Sequence, residues 1–87
     1  MSTALPDLLK SLRAKSGLSL AQTAARLHEA GVTMSRTSVH NWEQGATKPP
    51  RVALDALGTA WDLDLSERTQ IYMAAGYIVQ LNAGAGQ

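Results

Sequence analysis

The chain of 87 residues has no cysteine and no phenylalanine, and its aromatic residues are two Trp and two Tyr. Without thiols, neither a disulfide nor a thiolate-ligated zinc site can form. His28 and His40 alone make a poor ligand set, so we expect no metal and no cofactor. The chain does not begin with a basic segment followed by an apolar stretch, and no apolar run approaches the ~20 residues of a membrane span. We therefore expect a cytoplasmic protein that does not contact a membrane.

Strand signals are also scarce, because β-branched residues are few and Ala and Leu dominate. A chain of this length forms one modest hydrophobic core but not two. We predict an all-α fold of five helices in a single domain over residues 1–82, followed by a flexible tail at 83–87.

Helical periodicity and terminal signals give the expected helix bounds. We predict helices at about 5–15, 19–30, 35–44, 51–61 and 66–81. Ser19 and Gln22 have the spacing of a capping box, and Ser35 and Ser66 are the expected N-caps of the third and fifth helices. Gly76 falls inside the fifth pattern at a cost of ~1 kcal/mol relative to Ala, so this helix can break there.

The expected core consists of apolar residues that recur at helical spacing. They are Leu5, Leu8, Leu9, Leu12, Leu20, Ala24, Leu27, Val39, Trp42, Leu54, Leu57, Ile71, Ala74, Ile78 and Leu81. For Trp61, Tyr72 and Tyr77 two places remain open, because both a core and a subunit interface favour these aromatic side chains.

The net charge is only +1, but it is unevenly distributed. Residues 1–51 hold seven Lys or Arg against three acids, a net of +4, whereas residues 52–87 hold one Arg against four acids, a net of −3. A positive half attracts a polyanion such as a nucleic acid. The alternative is a chance scatter of surface charges.

The most informative segment is 35–45, which reads Ser-Arg-Thr-Ser-Val-His-Asn-Trp-Glu-Gln-Gly. At about 100° per residue, its long hydrogen-bonding side chains share one arc of a helix. They are Arg36, Thr37, His40, Asn41 and Gln44. Val39 and Trp42 lie on the opposite side. Such a helix can be fixed to a small core by one face while the other reads a polar surface.

This segment resembles the third helix of the helix-turn-helix repressors typified by phage Cro and lambda repressor, the XRE type. Other matching features follow in the same order and spacing: Leu12-Arg13, Gly17-Leu18-Ser19, Ala24, Leu27, Pro49, Leu54 and Leu57. The resemblance covers about residues 8–65. It implies a lambda-repressor-like DNA-binding domain with its helix-turn-helix at about 19–45. It also implies that the third helix enters the major groove of double-stranded DNA.

With the third helix in the groove, Arg36 is expected to bond guanine O6 and N7, and Asn41 to bond adenine N6 and N7. Thr37 can touch a thymine methyl group or a phosphate, and His40 lies farther along the same arc. These four residues are the expected base contacts. For each of them the alternative is a solvated surface side chain.

The expected phosphate contacts are Gln22, Ser35, Gln44, Lys48 and Arg51. Ser35 lies at a helix N-terminus, which favours anions, and Lys48 and Arg51 flank the proline loop. The resemblance also implies a structural ion pair between Arg13 of the first helix and Glu43 of the third. Two independent surface charges are the alternative.

The sequence departs from the family pattern in three places. Leu20 stands where a glutamine that contacts DNA is common, so that contact is lost or passes to Gln22. Thr23 stands where an apolar residue is usual. About three additional residues fall within 28–34, and the simplest accommodation is one added turn, about 4.5 Å, on the second helix.

The resemblance implies a sequence-specific transcriptional regulator, and we expect a repressor that binds an inverted repeat as a homodimer. One such domain reads too few bases to be selective alone. The fifth helix with residues 76–79 is the candidate dimer surface, with intramolecular packing as the alternative. The main rival is a protein-interaction module on the same scaffold, an antitoxin or a partner-binding regulator, which the near-neutral charge and Leu20 favour. We expect no enzyme, because neither a nucleophile–base constellation nor a phosphate-binding Gly-rich loop is present.

Overall fold

The computed structural model describes residues 4–77, and this part of the chain forms five α-helices and no β-strand. The helices are α1 (Leu5–Ser16), α2 (Leu20–Glu29), α3 (Arg36–Gln44), α4 (Arg51–Ala60) and α5 (Leu65–Ala74). The predicted all-α fold of five helices is confirmed. The first four helices begin and end within one residue of their expected bounds. Within residues 4–77, no helix is both long and apolar enough to cross a bilayer.

Two serine caps fix the starts of α2 and α3. The Ser19 hydroxyl accepts a hydrogen bond from the Gln22 N–H at 3.0 Å, while the Gln22 side-chain oxygen accepts one from the Ser19 N–H at 2.9 Å. This reciprocal pair is the predicted capping box. At α3, the Ser35 hydroxyl accepts from the Ser38 N–H at 3.2 Å. Both caps satisfy backbone donors that the first helical turn leaves without partners.

The connection from α2 to α3 holds most of the segment in which the additional residues fall. Of residues 28–34, His28 and Glu29 belong to α2 and the others lie in a packed turn. The added turn on α2 relative to the family stays a prediction. Val32 holds this turn in place, because its side chain is buried and its N–H donates to the Leu27 carbonyl at 2.9 Å.

The observed α5 differs from the predicted fifth helix at both ends. Its N-cap is Asp64 and not Ser66, because Glu67 stands three residues after Asp64 and completes a second capping box, with bonds of 2.8 and 3.1 Å. The helix ends at Ala74, short of the predicted 81. Gly76 reverses the chain there with a φ of 85°, a conformation that favours glycine. The predicted helical residues after 77 and the predicted tail lie outside the described residues.

One hydrophobic core joins the five helices. Its largest fully buried side chains include Leu9, Leu27, Val39, Leu54, Leu57 and Ile71. Burying each of these contributes roughly 1.5–3 kcal/mol. Helix α3 packs on α1 and α2, α4 packs on α2 and α5, and α5 packs back on α1. Ala74, which was predicted to lie in the core, is exposed, and the neighbouring Ala75 is buried in the core.

Trp61 belongs to this core, with 4% of its surface exposed. Its indole Nε1 donates to the Thr23 hydroxyl at 3.0 Å. Thr23 is completely buried, so the polar residue at a usually apolar position has a specific role as the acceptor for Trp61. The bond fixes the end of α4 to the middle of α2.

Candidate nucleic-acid interface

Helix α3 has two unlike faces. Arg36, Thr37, His40 and Gln44 are exposed and Asn41 is half-buried, as expected of the polar arc. On the opposite side Val39 and Trp42 are buried. The one carboxylate of α3, that of Glu43, is also buried, so the exposed face carries no negative charge. An α-helix with its side chains is about 10–12 Å in diameter, which fits a major groove about 12 Å wide.

A groove separates the start of α2 from the first turns of α3. Its lining residues are Arg13, Ser19, Leu20, Ala21, Arg36, Thr37 and His40. The structure therefore brings Arg36, Thr37 and His40 to one concave surface, and Asn41 lies one turn beyond Thr37. Leu20 supplies an apolar wall at the position where the family commonly has glutamine.

The residues expected to contact phosphates form two groups. Gln22 and Ser35 are exposed next to groove-lining residues, one on each of the two helices. The side-chain oxygen of Gln22 is occupied by the capping box, which leaves its amide NH₂ as the donor. The Ser35 hydroxyl satisfies the Ser38 N–H, and the N–H groups of Arg36 and Thr37, which have no intrahelical acceptor, remain available to an anion. The second group consists of Gln44, the last residue of α3, with Lys48 and Arg51, which follow that helix.

Arg13 and Glu43 lie within hydrogen-bonding distance and join α1 to α3. The Arg13 Nε donates to Glu43 Oε2 at 2.5 Å, and Nη2 donates to Oε1 at 3.0 Å. A third guanidinium nitrogen donates to the Leu18 carbonyl at 3.1 Å. The hydrogen bonding of the Arg13 side chain to the Glu43 carboxylate is the main reason that the pKa of Arg13 is raised. Because Glu43 is buried, this pair is not an ordinary exposed salt bridge, and it constrains the position of α3.

Tyr72 of α5 and Tyr77, which follows α5, each contact one of the two basic side chains that flank the proline loop. The sequence does not reveal these contacts. The Lys48 Nζ lies 4.5 Å from the ring centroid of Tyr77, and the Arg51 Cζ lies 5.6 Å from that of Tyr72. The Tyr77 hydroxyl donates to the Pro49 carbonyl at 3.2 Å. Each tyrosine is more than twenty residues from the cation it contacts, so no spacing rule links them.

Tyr72 is anchored at its hydroxyl as well as by its ring. The hydroxyl donates to the Asp55 carboxylate of α4. Burial, and then this hydrogen bond, raise the pKa of Tyr72. Both tyrosines are half-buried against the core, so their rings form a fixed support beside the loop.

Across residues 4–77 there is no group of three or more His, Cys, Asp or Glu side chains that could hold a metal ion.

Comparison with known protein families gives a match. A family model described as a helix-turn-helix domain matches residues 4–71, more than three quarters of the chain. The matched segment runs from α1 into α5 and includes the α2–α3 unit with its groove. No curated protein and no solved structure gives a significant match to the chain.

Proposed function

This chain belongs to the helix-turn-helix domain family, and we propose that it is a transcriptional regulator that binds specific sequences in double-stranded DNA. More specifically, we propose a repressor that binds an inverted-repeat operator as a homodimer. The main support for the proposal is the exposed polar face of α3, which has no negative charge. Val39, Trp42 and the Arg13–Glu43 pair fix the opposite face of this helix to the rest of the domain. A rigid helix that presents hydrogen-bonding side chains is what base reading requires.

The proposed base contacts follow from side-chain chemistry. Arg36 bonds the O6 and N7 of guanine, and Asn41 bonds the N6 and N7 of adenine. Thr37 contacts a thymine methyl group or a phosphate, and His40 contacts a neighbouring base edge. Each good bidentate contact provides roughly 1–3 kcal/mol of discrimination against the wrong base.

The proposed phosphate contacts lie on both sides of α3. Gln22 and Ser35 contact the DNA backbone near the groove, whereas Gln44 contacts it at the C-terminus of α3 and Lys48 and Arg51 contact it beyond that end. Such contacts fix the register of the protein on the duplex without reading sequence. Each neutralised phosphate adds about 0.9 to the slope of log affinity against log salt.

A homodimer follows from the small reading surface. A single domain of this kind buries too little surface and reads too few bases for high selectivity. Two copies related by a two-fold axis would read half-sites about 34–36 Å apart. We favour a repressor over an activator because occupation of a promoter requires no further contact.

Selection from a randomised duplex library tests the proposal. The wild-type protein should enrich an inverted repeat, and the double variant Arg36→Ala/Asn41→Ala should lose this enrichment. Arg36→Ala alone should relax preference at one base position per half-site, at a cost of roughly 1–3 kcal/mol. Binding is measured at two salt concentrations to separate base reading from phosphate attraction.

A matched control removes the same charge from another surface. Arg26 is exposed and borders a different groove, between the end of α2 and the end of α4. Arg26→Ala should therefore keep the enriched sequence. Weak binding that ignores sequence and disappears with salt in all variants would contradict the proposal.

The second candidate is a protein-interaction module on the same scaffold, such as an antitoxin or a partner-binding regulator. The half-buried side chain of Leu20 favours it, because this residue offers no donor in the groove. Heparin chromatography separates the two candidates, since a DNA binder is retained and released by moderate salt. We assign no catalytic activity to either.

A further inference from the structure

The turn after α5 returns the chain to the proline loop. The Tyr77 N–H donates to the Tyr72 carbonyl at 2.9 Å, and the Gly76 N–H donates to the Met73 carbonyl at 3.0 Å. With Gly76 in the left-handed conformation, these two bonds form a Schellman-type end to the helix. The turn places the Tyr77 ring against Lys48 and its hydroxyl against the Pro49 carbonyl.

We propose that Tyr72 and Tyr77 are positioning residues that hold Arg51 and Lys48 in place for contact with DNA phosphates. This inference rests on the proposed DNA-binding function. In the free protein a long cationic side chain samples many rotamers, and fixing it on binding is unfavourable. An aromatic ring beneath the cation restricts those rotamers before DNA arrives. Less conformational entropy is then lost on binding, so more of the attraction between the cation and the phosphate contributes to the affinity for DNA.

The surroundings of the two cations fit this role. Both are exposed, so the side of each cation away from its ring remains open to a phosphate. The two ion pairs present among residues 4–77 join Arg13 to Glu43 and Lys15 to Glu67, so neither Lys48 nor Arg51 forms an ion pair there. The carboxylate beside Arg51, that of Asp55, accepts the hydrogen bond from the Tyr72 hydroxyl. Lys48 follows the end of α3 by four residues and Arg51 begins α4, which keeps both beside the proposed reading helix.

A double-mutant cycle between Lys48 and Tyr77 tests the proposal on the operator selected above. Lys48→Ala should weaken binding equally for all sequences and lower the salt slope by about 0.9. Tyr77→Leu should weaken binding by about two- to fivefold with unchanged base preference. In the Tyr77→Leu background, Lys48→Ala should have a clearly smaller effect than in the wild type.

Two comparisons separate positioning from general stability. Tyr77→Phe keeps the ring and loses the hydroxyl, so it should retain the coupling to Lys48. Tyr77→Leu and Arg36→Ala should be additive, because these residues act on different parts of the interface. If Tyr77→Leu instead unfolded the domain, circular dichroism would show it, and the effects of the Lys48 and Arg36 substitutions on DNA binding would both be reduced. Tyr72→Leu with Arg51→Ala gives the corresponding cycle for the second pair.

An NMR measurement on the free wild-type protein tests the same geometry without a variant. The side-chain methylene protons of Lys48 should be shifted upfield by the Tyr77 ring relative to those of the exposed Lys10. Random-coil shifts at Lys48, or additive effects of the Lys48 and Tyr77 substitutions in a protein that binds its operator, would overturn this inference alone. Failure of the wild-type protein to select any DNA would overturn both it and the proposed function.

Discussion

A single buried hydrogen bond, from Trp61 to Thr23, illustrates how strongly one side chain constrains this small domain. Both residues are almost completely inaccessible, and the indole N–H has the Thr23 hydroxyl as its acceptor at 3.0 Å. A buried donor that loses its acceptor forfeits the full desolvation free energy of that group. Loss of this bond therefore destabilises the packing of α4 on α2 by more than the net free energy of one hydrogen bond.

Thr23→Val removes this acceptor while preserving the shape of the side chain. We predict a loss of roughly 1–3 kcal/mol in the free energy of unfolding, measured by urea denaturation, because the Trp61 N–H stays buried without a partner. The double variant Thr23→Val/Trp61→Phe removes both polar groups. It should be less destabilised than the sum of the two single variants, and simple additivity would contradict the interpretation.

Between helices, the pair formed by Lys15 and Glu67 joins the last turn of α1 to the first turn of α5. The hydrogen bond from Lys15, and then that from the Asp64 backbone, lower the pKa of Glu67 below its ordinary value of 4.5. The hydrogen bond to Glu67 in turn raises the pKa of Lys15. Since a lowered carboxyl pKa favours the charged folded state, its contribution to stability is present above pH 4.5 and is lost as the pH falls through the folded-state pKa.

Glu67→Gln isolates this charge, because glutamine at the same position still completes the capping box. We predict that the variant is less stable than the wild type at neutral pH and that the difference disappears as the pH falls through the lowered folded-state pKa of Glu67, because the carboxyl is then protonated. Urea unfolding across that range measures the effect. Lys15→Met should show a similar loss at neutral pH. A difference that stays constant down to acid would show that Glu67 acts through something other than its charge.

Helix bounds were predictable from sequence because their signals are local. Periodicity and caps place α1 to α4, and even the correct cap of α5 is visible, since Asp64 and Glu67 have the capping-box spacing that Ser66 lacks. Contacts between separate segments were not predictable from local patterns, and the Arg13–Glu43 pair was expected only from the family resemblance. The Arg68 guanidinium, for example, donates to the carbonyls of Leu63 and Gly58 at 3.0 Å, and nothing in the sequence indicates it.

One part of the candidate nucleic-acid interface was likewise predictable from the sequence, and another part was not. The exposed arc of α3 follows from the angle between successive helical residues, so a sequence pattern is enough to predict it. The placement of Lys48 and Arg51 against Tyr77 and Tyr72 depends on the turn after α5, and therefore on the complete fold. Sequence reasoning thus finds the side chains on the reading helix and misses the residues that support the loop beside it.

The charge of the complete chain separates the proposed DNA side from the proposed partner side. Residues 1–51, which include α3 and the proline loop up to Arg51, have a net charge of +4, whereas residues 52–87 have a net charge of −3. The acidic segments 52–87 of two copies repel each other, so a homodimer formed through these segments requires apolar contacts. Helix α5 provides two exposed candidates, because Leu65 and Met73 are 76% and 67% accessible.

If α5 forms the dimer surface, Met73→Glu should weaken self-association by about tenfold or more, because it places a charge in an apolar contact between already acidic surfaces. Sedimentation equilibrium measures this change, and titration of a single half-site should show unchanged affinity per protomer. Val52→Glu is the matched control, since Val52 is 54% exposed but lies on α4. An equal effect of both substitutions, or a wild-type protein that stays monomeric while it saturates an inverted repeat, would exclude α5 as the dimer surface. Preserved cooperative binding by Met73→Glu would instead place the two-fold contact elsewhere on the protein or leave it to the DNA.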